Sequence, residues 1–155
     1  METLACQEAF VAIASIQWEQ MVYFYHHLAN GSPNPHVSRS YAEFHLGGLR
    51  IGLFHPKASH QSEFAHPKGA GISLCLEVED LDQSRIVLDH IHATLPPPVA
   101  LHSAKADGSG SPSLPYGPIA IASHGRECYA YDPDGNRLIL HESAAQPETE
   151  AIAQA

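Results

Sequence analysis

Positive charge is scarce in this sequence. Eight Lys plus Arg stand against seventeen Asp plus Glu, giving a formal charge of -9 at pH 7 with His neutral. Such a surface opposes partners bound by phosphate neutralisation, so nucleic acid and anionic membranes are poor partners, while a cationic ligand is easier to hold. Cysteine is sparse too. Cys6, Cys75 and Cys128 make an odd count without Cys-x-x-Cys spacing, which argues against a disulfide framework or structural zinc and points to a cytoplasmic, reducing location. No apolar run approaches the length of a membrane span, and the first residues lack the basic start of a secretory signal. The 155 residues are 44% apolar and 16% charged, enough for one compact core, and a single domain over residues 1–155 is expected. Histidine is the abundant oddity: twelve are scattered between His26 and His141, which does not suggest a single pH switch.

Periodicity divides the chain into two similar halves. Residues 9–15 alternate as a strand, and Trp18, Met21, Val22, Phe24, Tyr25 and Leu28 recur at helical spacing, with Ser15 expected in the N-cap region and Asn30-Gly31 as the stop. A short strand at 36–39 precedes a hairpin of 41–46 and 49–54, joined by Gly47-Gly48. A Pro-, His- and Ser-bearing connection at 55–70 reads as a linker. The second half then repeats the order. A strand at 72–78 has Ile72, Leu74 and Leu76 on its core side, and Asp80 or Asp82 caps a helix whose apolar side carries Ile86, Val87, Leu88 and Ile91. After an extended stretch at 99–102 and a Gly- and Ser-rich loop come strands around 119–123 or 127–131 and at 137–141, and residues 143–155 are expected as a flexible tail. The fold class is α+β: two β-α-β-β-β modules, 9–54 and 71–142.

Four segments carry a resemblance. They are Phe10-Val-Ala-Ile-Ala-Ser running on to Val22-Tyr-Phe-Tyr, the hairpin from Tyr41 to Phe54, Glu77-Val-Glu-Asp-Leu-Asp82, and Tyr131-Asp-Pro-Asp-Gly-Asn-Arg-Leu138. In order and spacing they are similar to the vicinal-oxygen-chelate proteins, the superfamily of glyoxalases, bleomycin-resistance proteins and extradiol dioxygenases, over roughly residues 9–142. The resemblance implies cupped mixed sheets with helices on the convex side, and a small-molecule site in the cup of each sheet. It also implies a homodimer in which modules of different chains complete each cup, although closure within one chain would give a monomer.

Metal-using members place their ligands at positions that fall here on Phe10, Gly52, Ser73 and Ile139. Phe, Gly and Ile offer no side-chain donor and a lone Ser hydroxyl is a weak ligand, so no metal or other cofactor is expected and glyoxalase or dioxygenase chemistry is disfavoured. Strand parity supports the assignment. Turning Ala42, Phe44, Ile51 and Leu53 to the core leaves Tyr41, Glu43, His45, Arg50 and Phe54 beside Phe10 in one cup. Turning Leu74, Leu76, Leu138 and Leu140 inwards leaves Arg137, Ile139 and His141 beside Ser73, Cys75, Glu77, Glu127, Tyr129 and Tyr131 in the other.

This mixture of aromatic and charged side chains suits a small-molecule ligand. A metal-free binder is the leading reading, with sequestration of a cationic antibiotic as one form of it. The enzyme alternative is a lyase, isomerase or dioxygenase that uses a metal or an acid–base pair at non-standard positions. Its acid–base candidates are His45 beside Glu43 or Arg50, and Tyr129 with His141; its plainer rival makes His45 and Arg50 a solvent-facing cross-strand pair and Tyr129 an aromatic wall. A relocated metal at His26/His27, His90/His92 or His55/His60/His66 is disfavoured, because neighbouring helical His point about 100° apart and linker His are usually solvated. Cys75 lacks an adjacent cation that would form a thiolate.

Overall fold

In the computed structural model, which describes residues 6–64, 71–98 and 115–144, the first half runs β1 (Val11–Ala14), α1 (Trp18–Leu28), β2 (His36–Val37), β3 (Tyr41–Leu46) and β4 (Leu49–Phe54). The second runs β5 (Leu74–Glu77), α2 (Leu81–Ala93), β6 (Ala120–Ala122), β7 (Gly125–Tyr131) and β8 (Arg137–Ser143). The order β-α-β-β-β thus occurs twice, in an α+β fold. Two four-stranded mixed sheets result, β1-β4-β3-β2 and β5-β8-β7-β6, each with its first strand parallel to its last.

The hairpin forms at the register its alternation requires: Leu46 opposes Leu49, Phe44 opposes Ile51 and Ala42 opposes Leu53. Gly47, at φ 59°, supplies the left-handed residue of the tight turn. In α1 the residues Trp18, Met21, Phe24 and Tyr25 are buried, a stripe at three- and four-residue spacing. Its N-cap is Gln17 rather than Ser15, but buried Ser15 still serves this end, because its Oγ accepts the Gln17 N–H at 2.9 Å. Asn30 ends the helix at φ 50° while the Gly31 N–H reaches back to the His26 carbonyl at 3.1 Å. For α2 the structure selects Asp80 over Asp82 as the cap, its carboxylate accepting the Gln83 N–H at 2.8 Å.

Several expectations are corrected. Ile72 is not on the core side of a strand: β5 begins at Leu74, and Ile72 is 84% exposed. Ile86 and Val87 are exposed as well, because the buried stripe of α2 is Leu81, Leu88 and Ile91, and positions 86 and 87 rotate off it. The connection after β4 is not wholly irregular, since Ala58–Phe64 forms a 3-10 helix whose Phe64 ring packs edge-on against Phe54 at 5.3 Å. Strand β8 continues through Ser143, so an extended element occupies the first residue assigned to the tail. The stretch at 99–102, the Gly- and Ser-rich loop after it, the end of the linker and residues 145–155 lie outside the described residues.

One hydrophobic cluster draws on both halves, joining Trp18, Met21, Phe24 and Tyr25 to Phe44, Ile51 and Leu53, and to Leu88, Ile91, Leu138 and Leu140. Burial of each such large side chain is worth roughly 1.5–3 kcal/mol, so neither half keeps its core without the other. Polar bonds cross the same seam: Tyr25 donates to Asp132 Oδ2 at 3.1 Å and Gln20 Nε2 to the Pro96 carbonyl at 2.8 Å. The helices pack on one face of each sheet. The other face of each is left open.

Candidate functional site

On the first sheet, the parity that buries Ala42, Phe44, Ile51 and Leu53 turns Tyr41, Glu43, His45, Arg50 and Phe54 to the open face. Glu43 is the hub of this group. Its carboxylate accepts from the Tyr41 hydroxyl at 2.8 Å, lies 3.5 Å from His45 Nε2 and is 3.8 Å from Arg50 Nε. Burial, then the bond to the Glu43 carboxylate, raises the Tyr41 phenol above its ordinary value. Arg50 reaches further, to Glu8 at 2.7 Å, with its guanidinium 4.2 Å above the Phe10 ring. His45 and Arg50 are cross-strand partners, as expected, and share Glu43 rather than each other.

Gly52 lies under this group, opposite Glu43 and Ala12. A Cβ built there would fall 2.7 Å from the Tyr41 hydroxyl oxygen and 3.1 Å from its ring. The phenol of Tyr41 therefore occupies the space that any longer side chain at position 52 needs.

On the second sheet, Cys75 and Glu77 of β5, Glu127 and Tyr129 of β7, and Arg137, Ile139 and His141 of β8 share the open face, with Ser73 just before β5. Arg137 Nε donates to Ser73 Oγ at 2.7 Å, and its guanidinium stands 5.7 Å from the Tyr129 ring centroid. Tyr129 is 46% exposed and Phe10, on the first sheet, 45%. Tyr129 opposes Ile139 and His141 opposes Glu127, which makes Tyr129 and His141 diagonal neighbours on the open face rather than an opposed pair. Instead His141 Nδ1 meets Glu77 Oε2 at 2.5 Å, and His141 Nε2 meets His124 Nδ1 at 2.9 Å. Glu77 also accepts from the backbone N–H of Ser143 at 2.9 Å and from its hydroxyl. Those bonds, Ser143's first and then His141's, hold the Glu77 carboxyl below its ordinary value.

His124 and Ser143 gave no signal in the sequence. His124 sits in the turn between β6 and β7, and only the antiparallel return of β7 along β8 brings it to His141. Strand parity turned Glu77 towards the cup, but nothing in the sequence singled it out from its neighbours there.

The metal-ligand positions of the resemblance thus carry Phe10, stacked under a guanidinium; Gly52, covered by Tyr41; Ser73, engaged by Arg137; and Ile139. These side chains do not fit a divalent ion. Elsewhere among the described residues, no group of three or more His, Cys, Asp or Glu is arranged to hold one. His26, His27 and His90 do converge on the helix side, where with Val87 and Ile91 they line a cleft of about 550 Å³. Burial, then the neighbouring His26 and His90, lowers the His27 imidazole below its ordinary value. His92 is spent on the Tyr131 carbonyl at 3.2 Å. Cys75 is exposed and Cys128 buried.

No protein-family model matches the chain and no curated protein matches its sequence. Solved structures do share its fold. A mutant of the fosfomycin resistance protein FosX from Listeria monocytogenes, complexed with Mn(II) and 1S,2S-dihydroxypropylphosphonic acid, is 12% identical at a TM-score of 0.60, covering 92% of this chain and 94% of that one. A glyoxalase-related enzyme from Fulvimarina pelagi is 13% identical with TM-score 0.58, covering 92% of each chain. A bleomycin-binding protein complexed with bleomycin is 17% identical with TM-score 0.55, covering 90% of this chain and all 100% of that one. At these identities the likeness establishes the fold. It is the fold shared by these bleomycin-binding, glyoxalase-related and fosfomycin-resistance proteins.

Proposed function

We propose that this chain is a small-molecule-binding member of the vicinal-oxygen-chelate superfamily that holds its ligand on the open sheet faces without the family's metal. One observation carries the reading: Tyr41 fills the space above Gly52, while Phe10, Ser73 and Ile139 present a ring, an engaged hydroxyl and a hydrocarbon. A metal that polarises substrate or activates water needs donors those side chains lack. Aromatic surface beside a few charges is what remains, and it suits an organic ligand.

The test is elemental analysis of the purified protein followed by a thermal-shift screen with divalent ions, aromatic acids, methylglyoxal–thiol adducts and cationic antibiotics. Stabilisation by an organic compound with no stoichiometric transition metal is the expected result. Bound metal that leaves with chelator and takes activity with it would overturn the reading. Sequestration of a cationic antibiotic is the form favoured by the charge of -9 and by the bleomycin-bound structural neighbour.

The exposed Phe10, Tyr129 and Tyr131 on the open faces support a homodimer in which a second copy covers them and closes each cup. Light scattering on the eluting protein at micromolar concentration should read twice the chain mass. The free thiols of Cys6, Cys75 and Cys128 support a reducing, cytoplasmic place of work.

A further inference from the structure

The open face of the second sheet carries a chain of hydrogen bonds that ligand binding alone does not require. With both imidazoles neutral, its order follows from what each atom can donate or accept. A carboxylate only accepts, so the 2.5 Å contact with Glu77 Oε2 places a hydrogen on His141 Nδ1. Neutral imidazole carries one N–H, so His141 Nε2 is an acceptor, and the 2.9 Å contact then places the hydrogen of His124 on Nδ1. The lone pair of His124 is thereby left on Nε2, the outer end of the chain.

Both ends are held. Glu77 is fixed by the N–H and hydroxyl of Ser143 as well as by His141. The backbone of His124 is fixed by the Ala144 N–H, which donates to the His124 carbonyl at 3.0 Å, and by Gly125 at φ 146°. A tie between strands would need only one of these bonds. A series of them ending in a nitrogen lone pair on an exposed sheet face is suited to moving a proton.

We propose that Glu77, His141 and His124 form a proton relay whose working end, His124 Nε2, removes a proton from a flat, weakly acidic aromatic ligand lying along β8. In that step the ligand's C–H or O–H bond breaks, its electron pair stays on the ligand, and the proton bonds to His124 Nε2. The imidazolium is stabilised through His141 by the ionised Glu77, with no oxidant or reductant involved. Ligand orientation comes from the same strand. Arg137 lies four residues before His141, about 13 Å along β8, with Tyr129 in register between them. An aromatic body can therefore rest on Tyr129 with an electron-rich end towards Arg137 and its acidic end towards His124. Among the described residues, the charged or titratable groups of this face around His141 are Cys75 and Glu77 from β5, Glu127 and Tyr129 from β7, Arg137 from β8 and His124 from the β6–β7 turn.

This inference deepens the binding reading by giving one of the two faces a reaction, and its test is independent of which natural ligand binds. The probe is 5-nitrobenzisoxazole, which opens to a coloured cyanophenolate when a base removes its ring C–H. Full-length protein should turn it over with saturation, at least about 100-fold faster than free imidazole at equal concentration. His124→Ala should lower that rate about 10-fold or more, while His55→Ala leaves it unchanged. Glu77→Gln, a positioning change, should lower kcat with little effect on KM and move the pH profile to lower pH, because a carboxylate favours the charged imidazole it supports.

Long-range nitrogen–proton NMR at mildly basic pH should find His124 and His141 both as Nδ1–H tautomers. A His124 Nε2–H tautomer, a rate no better than imidazole, or a rate insensitive to His124→Ala overturns the relay. Failure of the binding reading would show instead as no organic ligand stabilising the protein in the melting screen.

Discussion

Replacing Tyr25 with Phe removes one hydroxyl from a fully buried ring and leaves the packing shape intact, so its cost isolates one bond. That bond, 3.1 Å to Asp132 Oδ2, joins α1 of the first half to the turn between β7 and β8 in the second. Asp132 is buried and also accepts the Asp134 N–H at 3.0 Å, the Asn136 N–H at 2.8 Å and Asn136 Nδ2 at 2.8 Å. With three donors remaining, the loss belongs at the lower end of the range for a hydrogen bond to a charged group, about 1.5–2 kcal/mol. For a chain of this size that is a fall in Tm of roughly 3–8 °C. Urea denaturation should show a lower midpoint at unchanged slope, since the exposed surface is the same.

The effect has a defined pH sign. Burial raises the Asp132 carboxyl above its ordinary value, and the Tyr25 hydroxyl opposes that rise. A group with a raised folded pKa contributes stability that is complete below the unfolded value and is lost as pH rises through the folded one, so ionised Asp132 costs stability at neutral pH. Tyr25 reduces that cost. The penalty of Tyr25→Phe should therefore be full at neutral pH and shrink as pH falls through the raised folded value. A loss below about 0.5 kcal/mol at neutral pH would refute the reasoning, as would a loss that does not change on acidification.

Gly125 is the second point of leverage: at φ 146° a Cβ would fall 2.1 Å from the Glu142 carbonyl oxygen, so Gly125→Ala should cost at least about 2 kcal/mol and misplace His124, read by denaturation and by the imidazole NMR signals. Asp80→Ala should cost about 1 kcal/mol by removing the α2 cap, with a smaller loss for Asp80→Asn, both measured by urea titration. Gly52→Ala should cost about 1–2 kcal/mol in the native background and much less beside Tyr41→Ala, because its clash is with the Tyr41 side chain; a double-mutant cycle showing no coupling would remove Tyr41 from the space above Gly52.

Local rules in the sequence placed most of the architecture. Alternation set the hairpin register, helical spacing set the buried stripe of α1, and Asn30-Gly31 marked its end, because each depends on residues near one another in the chain. The same rules misjudged Ile72, Ile86 and Val87, whose apolar character did not reveal that they stand exposed. Strand parity also sorted the open-face residues from the core, whereas Phe10, Gly52, Ser73 and Ile139 stand out as metal-ligand positions only through the resemblance.

What no local rule contained is which polar groups meet. Glu77, His124, His141 and Ser143 come from one parallel and one antiparallel pairing, and up to 66 residues separate the partners. Likewise the placement of Tyr41 over Gly52 and the joining of Tyr25 to Asp132 are fixed by strand pairing and helix packing. Sequence by itself determined the elements and their faces, because those follow from periodicity and backbone conformation. Tertiary structure alone decided the hydrogen-bonded chain and the filled cup, because hydrogen bonds depend on tenths of an ångström between atoms that only the folded chain brings together.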